Sequence, residues 1–240
     1  MKPLSRPASY TLWESLLWDI LPLFLLWMPL SLSAQDRKEL REQLSAVSSE
    51  LSAYPDSVDL RLRKAALNIE LEQWNYAKEE YDYILQRHPD NISALFYRAY
   101  VNTKQGRYNF ARLDYHNLLR LVPGNYEARL ALALLNQKDK HYTEAYDQIN
   151  HLIQQFPERA EIYAARADME TERGMLDLAE SDYGEALVRD PQNKDYMLAR
   201  AKIRLKLGKL TDAKSDLDTL VKSGTPRGSL QELYKRCRIR

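Results

Sequence analysis

A strict period of 34 residues governs this chain from residue 58 to residue 227. Alanine recurs at Ala65, Ala99, Ala133, Ala167 and Ala201, and again at Ala77, Ala111, Ala145, Ala179 and Ala213. Pro89, Pro123, Pro157 and Pro191 close four successive units, and Thr225 with Pro226 closes the fifth. The register never slips. A single globular core does not require such a period, whereas units that cannot bury an apolar face alone, and stack on their neighbours, do.

Each unit divides into two helices of about a dozen residues around a turn near unit position 15. Gly106, Gly174 and Gly208 hold that position in three copies, where a left-handed residue can close a helix without a side-chain clash. Glu72 and Lys140 hold it in the first and third copies, so a strained turn is expected there. The proline at position 32 ends the second helix, because it lacks an N–H and biases its predecessor away from helical geometry. The alanines at positions 8 and 20 let two backbones approach. Position 24 (Tyr81, Tyr115, Ile149, Tyr183, Leu217) and position 28 (Leu85, Leu119, Ile153, Leu187, Val221) are expected to fill the space beside them.

Charge is periodic too. Positions 7 and 23 read Lys64 and Glu80, Arg98 and Asp114, Arg166 and Asp182, and Arg200 and Asp216; in the third copy both change together, to Leu132 and Gln148. Opposite charges that appear and vanish together predict an ion pair between the two helices of a unit, with nitrogen and oxygen within about 4 Å.

The unit, for instance ALFYRAYVNTKQGRYNFARLDYHNLLRLVPGN, resembles the tetratricopeptide repeat: small residues at 8 and 20, glycine at 15, an aromatic at 17 (Trp74, Tyr108, Tyr142) and proline at 32. It departs from that pattern at position 4 (Arg61, Leu95, Arg129, Tyr163, Met197), where tryptophan is common. The resemblance implies an all-α fold, a right-handed α-solenoid of helix-turn-helix repeats. It further implies a non-catalytic scaffold whose first helices line a concave surface that holds a segment of a protein or peptide partner. Positions 2, 6, 9 and 13 share one face of the first helix by their spacing. On that face Tyr97, Tyr100 and Leu134 are expected to form an apolar patch, with Lys104 and Lys138 at its edge. Asp168 and Glu172 then supply acid, beside Glu161, and Lys202 supplies base, beside Lys206. Tyr97 and Tyr100 have a second reading, as packing against the adjacent helix. Some family members clamp a partner's terminal carboxylate with lysine at 5 and asparagine at 9 and 6. Leu62, Phe96, Leu130, Ala164 and Leu198 stand at 5 here, which argues against that mode.

The flanks read differently. Residues 1–34 begin basic, turn apolar through Ile20 to Gln35 and end on Ser31, Ser33 and Ala34, a pattern for a secretory signal cleaved near Ala34. The expected location is therefore periplasmic or secreted. Glu14 and Asp19 are unusual in such a segment, and an uncleaved anchor tethering a structural subunit of an envelope complex is the alternative; membrane contact is expected only through residues 1–34. Residues 35–57 read as an N-terminal capping helix, with Leu40, Leu44, Val47 and Leu51 on one face. Residues 228–240 read as a basic C-terminal capping helix, with Ser229 as N-cap and Glu232 three residues on.

Thirty-five basic residues against 34 acidic ones give no field that would draw nucleic acid. The one cysteine, Cys237, excludes a disulfide within the chain; Arg236 and Arg238 beside it could favour its thiolate, but it reads first as a bystander thiol in a tail. His88, His116, His141 and His151 are scattered without ligand spacing. No nucleophile arrangement or phosphate-cradling loop is present, so no enzyme activity, cofactor, metal or small-molecule substrate is expected.

Overall fold

A computed structural model describes residues 34–237, and among these the chain is helical with no strand. They form two compact units, one running to Gln73 and one starting at Trp74. The boundary falls inside the first copy of the repeat. Most of the leader-like segment, and residues 238–240 of the basic tail, lie outside the described residues.

The first unit pairs α1 (Ala34–Ala53) with α2 (Val58–Glu70). Leu40 and Val47 of α1 bury against Leu67 of α2, with Leu44 and Leu71 beside them, so the face read from residues 36–54 is the one used. Ser57 starts α2 as its N-cap, its hydroxyl accepting from the Leu60 amide at 3.3 Å.

The second unit opens with α3 (Trp74–Arg87) and continues as four pairs, each one repeat. These are α4 (Ile92–Lys104) with α5 (Tyr108–Leu121), α6 (Tyr126–Lys138) with α7 (Tyr142–Gln155), α8 (Ala160–Glu172) with α9 (Leu176–Arg189), and α10 (Lys194–Lys206) with α11 (Leu210–Lys222). A 3-10 turn, Arg227–Leu230, leads into α12 (Gln231–Arg236).

The stops and starts follow from particular residues. Every first helix ends with position 15 in the left-handed region: φ is 72° at Gly106, 75° at Gly174 and Gly208, and also 58° at Glu72 and 65° at Lys140. At Lys140 its amide bonds the Gln137 carbonyl (3.0 Å) and the His141 amide bonds the Asn136 carbonyl (2.8 Å), the paired closure that satisfies two last-turn acceptors. The second helices of the first four copies end two residues before the position-32 proline. The proline then occupies the second place of a turn, as where the Asn125 amide reaches the Val122 carbonyl at 3.0 Å. Asn91, Asn125 and Asn193 end these turns and cap the next helix, Asn125 Oδ1 accepting from the Ala128 amide at 2.7 Å. Arg159 stands in that place before α8 and makes no side-chain cap. In the fifth copy the stop is Gly224, at φ 94°, rather than Pro226.

The alanines at positions 8 and 20 are fully buried in every repeat of this unit. Position 24 is buried throughout, and so is position 27 (Ile84, Leu118, Leu152, Ala186, Leu220), which the sequence reading did not include; the expected position 28 is buried at Leu85 and Leu187 and partly covered at Leu119, Ile153 and Val221. The expected ion pairs form. Arg98 Nε and Nη2 donate to Asp114 at 2.9 and 2.6 Å, Arg166 to Asp182 at 2.5 and 2.7 Å, and Arg200 to Asp216 at 3.2 and 2.7 Å. The two-pronged geometry holds each buried aspartate against its own repeat's first helix. Lys64 and Glu80 belong to different units.

The C-terminal cap departs from expectation in its start. Ser229 lies in the 3-10 turn and its hydroxyl donates to the Pro226 carbonyl (2.7 Å), leaving α12 without a side-chain cap. Leu230 and Tyr234 nevertheless cover Leu187, Met197, Leu217 and Leu220, closing the end of the core. Cys237 packs beside them, and burial pushes its thiol up, against the lowering expected from its arginines.

Candidate partner-binding face

The first helices of the second unit present positions 2, 6, 9 and 13 on one side. In α4 these are Ser93, Tyr97, Tyr100 and Lys104. Tyr97 is half-buried and stacks on Tyr81 of α3, with ring centroids 6.2 Å apart and planes 17° apart; Phe96 meets its edge at 5.3 Å. Tyr100 meets Trp74 edge-on at 6.3 Å, and the Lys104 ammonium lies 5.2 Å from its ring centre. Both tyrosines therefore pack on α3 while keeping part of each ring at the surface. Burial raises the Tyr97 phenol, which keeps it neutral across the physiological range.

Further along, Leu134 is half-buried and Lys138 exposed on α6. Gln137, one residue before Lys138, is almost fully buried and donates to Glu172 Oε2 of α8 at 2.8 Å, tying two successive first helices together. Glu172 itself remains exposed, as do Lys202 and Lys206 on α10.

Asp168 is half-buried and engaged within its own repeat. The Tyr183 hydroxyl, from α9 of the same repeat, donates to its Oδ1. Burial raises the Asp168 carboxyl to about 6; the Tyr183 hydrogen bond pulls it down and the Glu172 charge pushes it up. Tyr196 of α10 leans on Tyr183 at 6.4 Å, and its phenol is pushed up to about 12, by burial first and then by Glu161 and other carboxylates.

The structure thus leaves Lys104, Lys138, Glu172 and Lys202 exposed along one face, sets Tyr97, Tyr100 and Leu134 half-buried among them, and engages Asp168 internally. Position 2 adds Glu127, Glu161 and Asp195 at the helix N-termini, where carboxylates also complement the helix dipole. The sequence reading passed over a second polar row. Position 11 (Asn102, Asn136, Glu170, Arg204) lies inside each pair, and its recurrence as a polar residue directly after the apolar position 10 (Val101, Leu135, Met169, Ile203) was the available signal.

Among the described residues no helix is long and apolar enough to cross a membrane, and no three His, Cys, Asp or Glu side chains are grouped to hold a metal ion. No protein-family model matches the chain, and no curated protein does. Solved structures do. A tetratricopeptide repeat protein from Parabacteroides merdae superposes with a TM-score of 0.71 at 24% identity, over 85% of this chain and 80% of that one. The Pseudomonas aeruginosa pilF protein gives 0.62 at 17% identity, over 75% of this chain and 82% of that one. A thermophilic TPR protein of Thermus thermophilus gives 0.60 at 19% identity, over 75% and 98%. At these identities the likeness is one of fold: the chain is an α-solenoid with the fold of the tetratricopeptide repeat proteins.

Proposed function

We propose that this protein is a non-catalytic protein-interaction scaffold, exported to the periplasm or secreted, whose second unit holds a segment of a protein partner along its first-helix face. The observation that carries this reading is the combination on that face of half-buried aromatic and aliphatic surface with exposed charge at Lys138 and Lys202. Half-exposed tyrosines contribute contact area at small entropic cost, and exposed lysines and glutamates fix the register of a charged partner. The basic, then apolar, then small-residue order of residues 1–34 supports export.

One preparation tests both parts. The protein is purified from the envelope fraction of its own cells after treatment with a lysine-reactive crosslinker. The expected result is a mature chain beginning at Gln35, with partner peptides joined to Lys104, Lys138 and Lys202. Partner crosslinks confined to Lys78 and Lys214, which lie on second helices, would overturn the assigned face. A chain that retains Met1 would replace the cleaved signal with an anchor.

A further inference from the structure

Position 11 carries a polar side chain in every repeat of the second unit, and in three of them it donates to position 23 of its own repeat. Asn102 Nδ2 reaches Asp114 at 3.4 Å, Asn136 Nδ2 reaches Gln148 at 3.0 Å, and Arg204 Nη1 reaches Asp216 at 2.9 Å. The fourth repeat breaks this rule. Glu170 stands there, 5% exposed, opposite the equally buried Asp182, and an ionised carboxylate has no hydrogen to donate. Its Oε2 is buried without a hydrogen-bond partner. A cavity of about 370 Å³ opens beside it among α7, α8 and α9, lined also by Tyr146, whose hydroxyl faces the Arg173 guanidinium.

Glu170 forms no ion pair among the described residues. From α8, Arg166 gives Nε and Nη2 to Asp182 and Nη1 to Asn150 Oδ1 at 2.8 Å, which turns its guanidinium toward those two partners. Arg173, also of α8, has its guanidinium over the rings of Tyr142 and Tyr146, at 5.4 and 5.2 Å. From α9, Asp182 adds a second carboxylate, and α7 contributes Tyr146. Burial first, and then the Asp182 charge, raise the Glu170 carboxyl to about 7; Arg166 pulls it down, and a hydrogen bond to Asp182, open only to the protonated form, adds to the rise. The next repeat shows what fits: there the Arg204 guanidinium lies between Asp216 and Glu180, at 2.9 and 2.8 Å.

We propose that this cavity is a binding site for a guanidinium group, an arginine side chain of a partner protein, whose N–H groups supply the donors that Glu170 Oε2 lacks. Exposed Asn150, Leu178 and Ser181 frame its mouth, so it opens beside second helices and does not depend on the first-helix face. The guanidinium binds the ionised form of Glu170, so affinity rises with pH, by roughly tenfold between pH 6 and pH 8 for a carboxyl that titrates near 7.

The test is an amide NMR titration of the full chain with N-acetyl-arginine amide and with N-acetyl-citrulline amide, which has the same shape without the charge. Saturable shifts at Tyr146, Glu170 and Ser181 are expected with the arginine compound. Binding at least tenfold weaker is expected for the citrulline compound and for Glu170→Gln. Glu170→Asn, which restores the residue found at this position in the first three copies, serves as the second variant should Glu170→Gln lose its helical circular dichroism. No saturable shift with the arginine compound, an equal response to citrulline, or unchanged binding by either folded variant would overturn the site.

Discussion

Asp168 shows how a side chain placed on a binding face by its helical spacing is drawn off it by a neighbour the spacing cannot reveal. Position 9 points it toward partners; the Tyr183 hydroxyl, reaching over from the second helix, engages it instead. An aspartate titrates near 3.9 when unfolded and here near 6, so the folded state holds the proton more tightly. The sign follows from linkage: Asp168's contribution to stability is fully present below pH ~4 and is lost as pH rises through ~6. Tyr183→Phe removes a donor that favours the charged form, so the Asp168 carboxyl midpoint, read by carbon NMR, is expected to move above its wild-type value. An unchanged or lower midpoint would show that the hydroxyl does not hold the charge. The Arg98–Asp114, Arg166–Asp182 and Arg200–Asp216 pairs were legible for the opposite reason, since both partners sit at fixed positions and disappear together in the third repeat.

Helix ends are where the repeat's local chemistry is most exposed to test. Position 15 is left-handed whatever residue occupies it, and in Lys140 a side chain is held at φ 65°. A left-handed residue with a Cβ costs about 1–2 kcal/mol, and glycine's extra freedom when unfolded returns about half of that. Lys140→Gly is therefore expected to stabilise by about 0.5–1 kcal/mol in urea denaturation, and Gly106→Ala to destabilise by a similar amount. A loss of stability in Lys140→Gly would mean that the lysine side chain makes a compensating contact. Glycine and proline made these boundaries readable in the sequence. The core row was less readable, because positions 27 and 28 are both apolar in most copies. Helical phase separates them: 20, 24 and 27 follow steps of four and three along one face, whereas 28 lies about 100° further round.

At the scale of the whole molecule the period was legible and the division into units was not. The first copy carries Ala65, Ala77 and Pro89 like any other, yet the boundary between units passes between its helices, at Gln73 and Trp74. The guanidinium cavity was equally hidden, because its lining comes from three helices and only packing brings it together. Within the second unit each helix packs on those next in the chain, with α6 also touching α8 and the terminal α12 touching α10 as well as α11. Stability built from such near-neighbour contacts behaves as a sum over repeats and their interfaces. Deleting residues 159–192 removes α8 and α9 as one period and sets Asn193 directly after Glu158, which keeps the asparagine that caps α10. Ala201 and Ala213 remain paired in the last repeat, as do Arg200 and Asp216, while Arg204 and Lys209 lose Glu180. The shortened chain should keep the helical circular dichroism per residue of the parent and unfold in one transition, with a denaturant slope smaller by about one sixth, in proportion to the chain removed. Loss of the helical signal would show instead that the fourth repeat is part of a core the others cannot close without it.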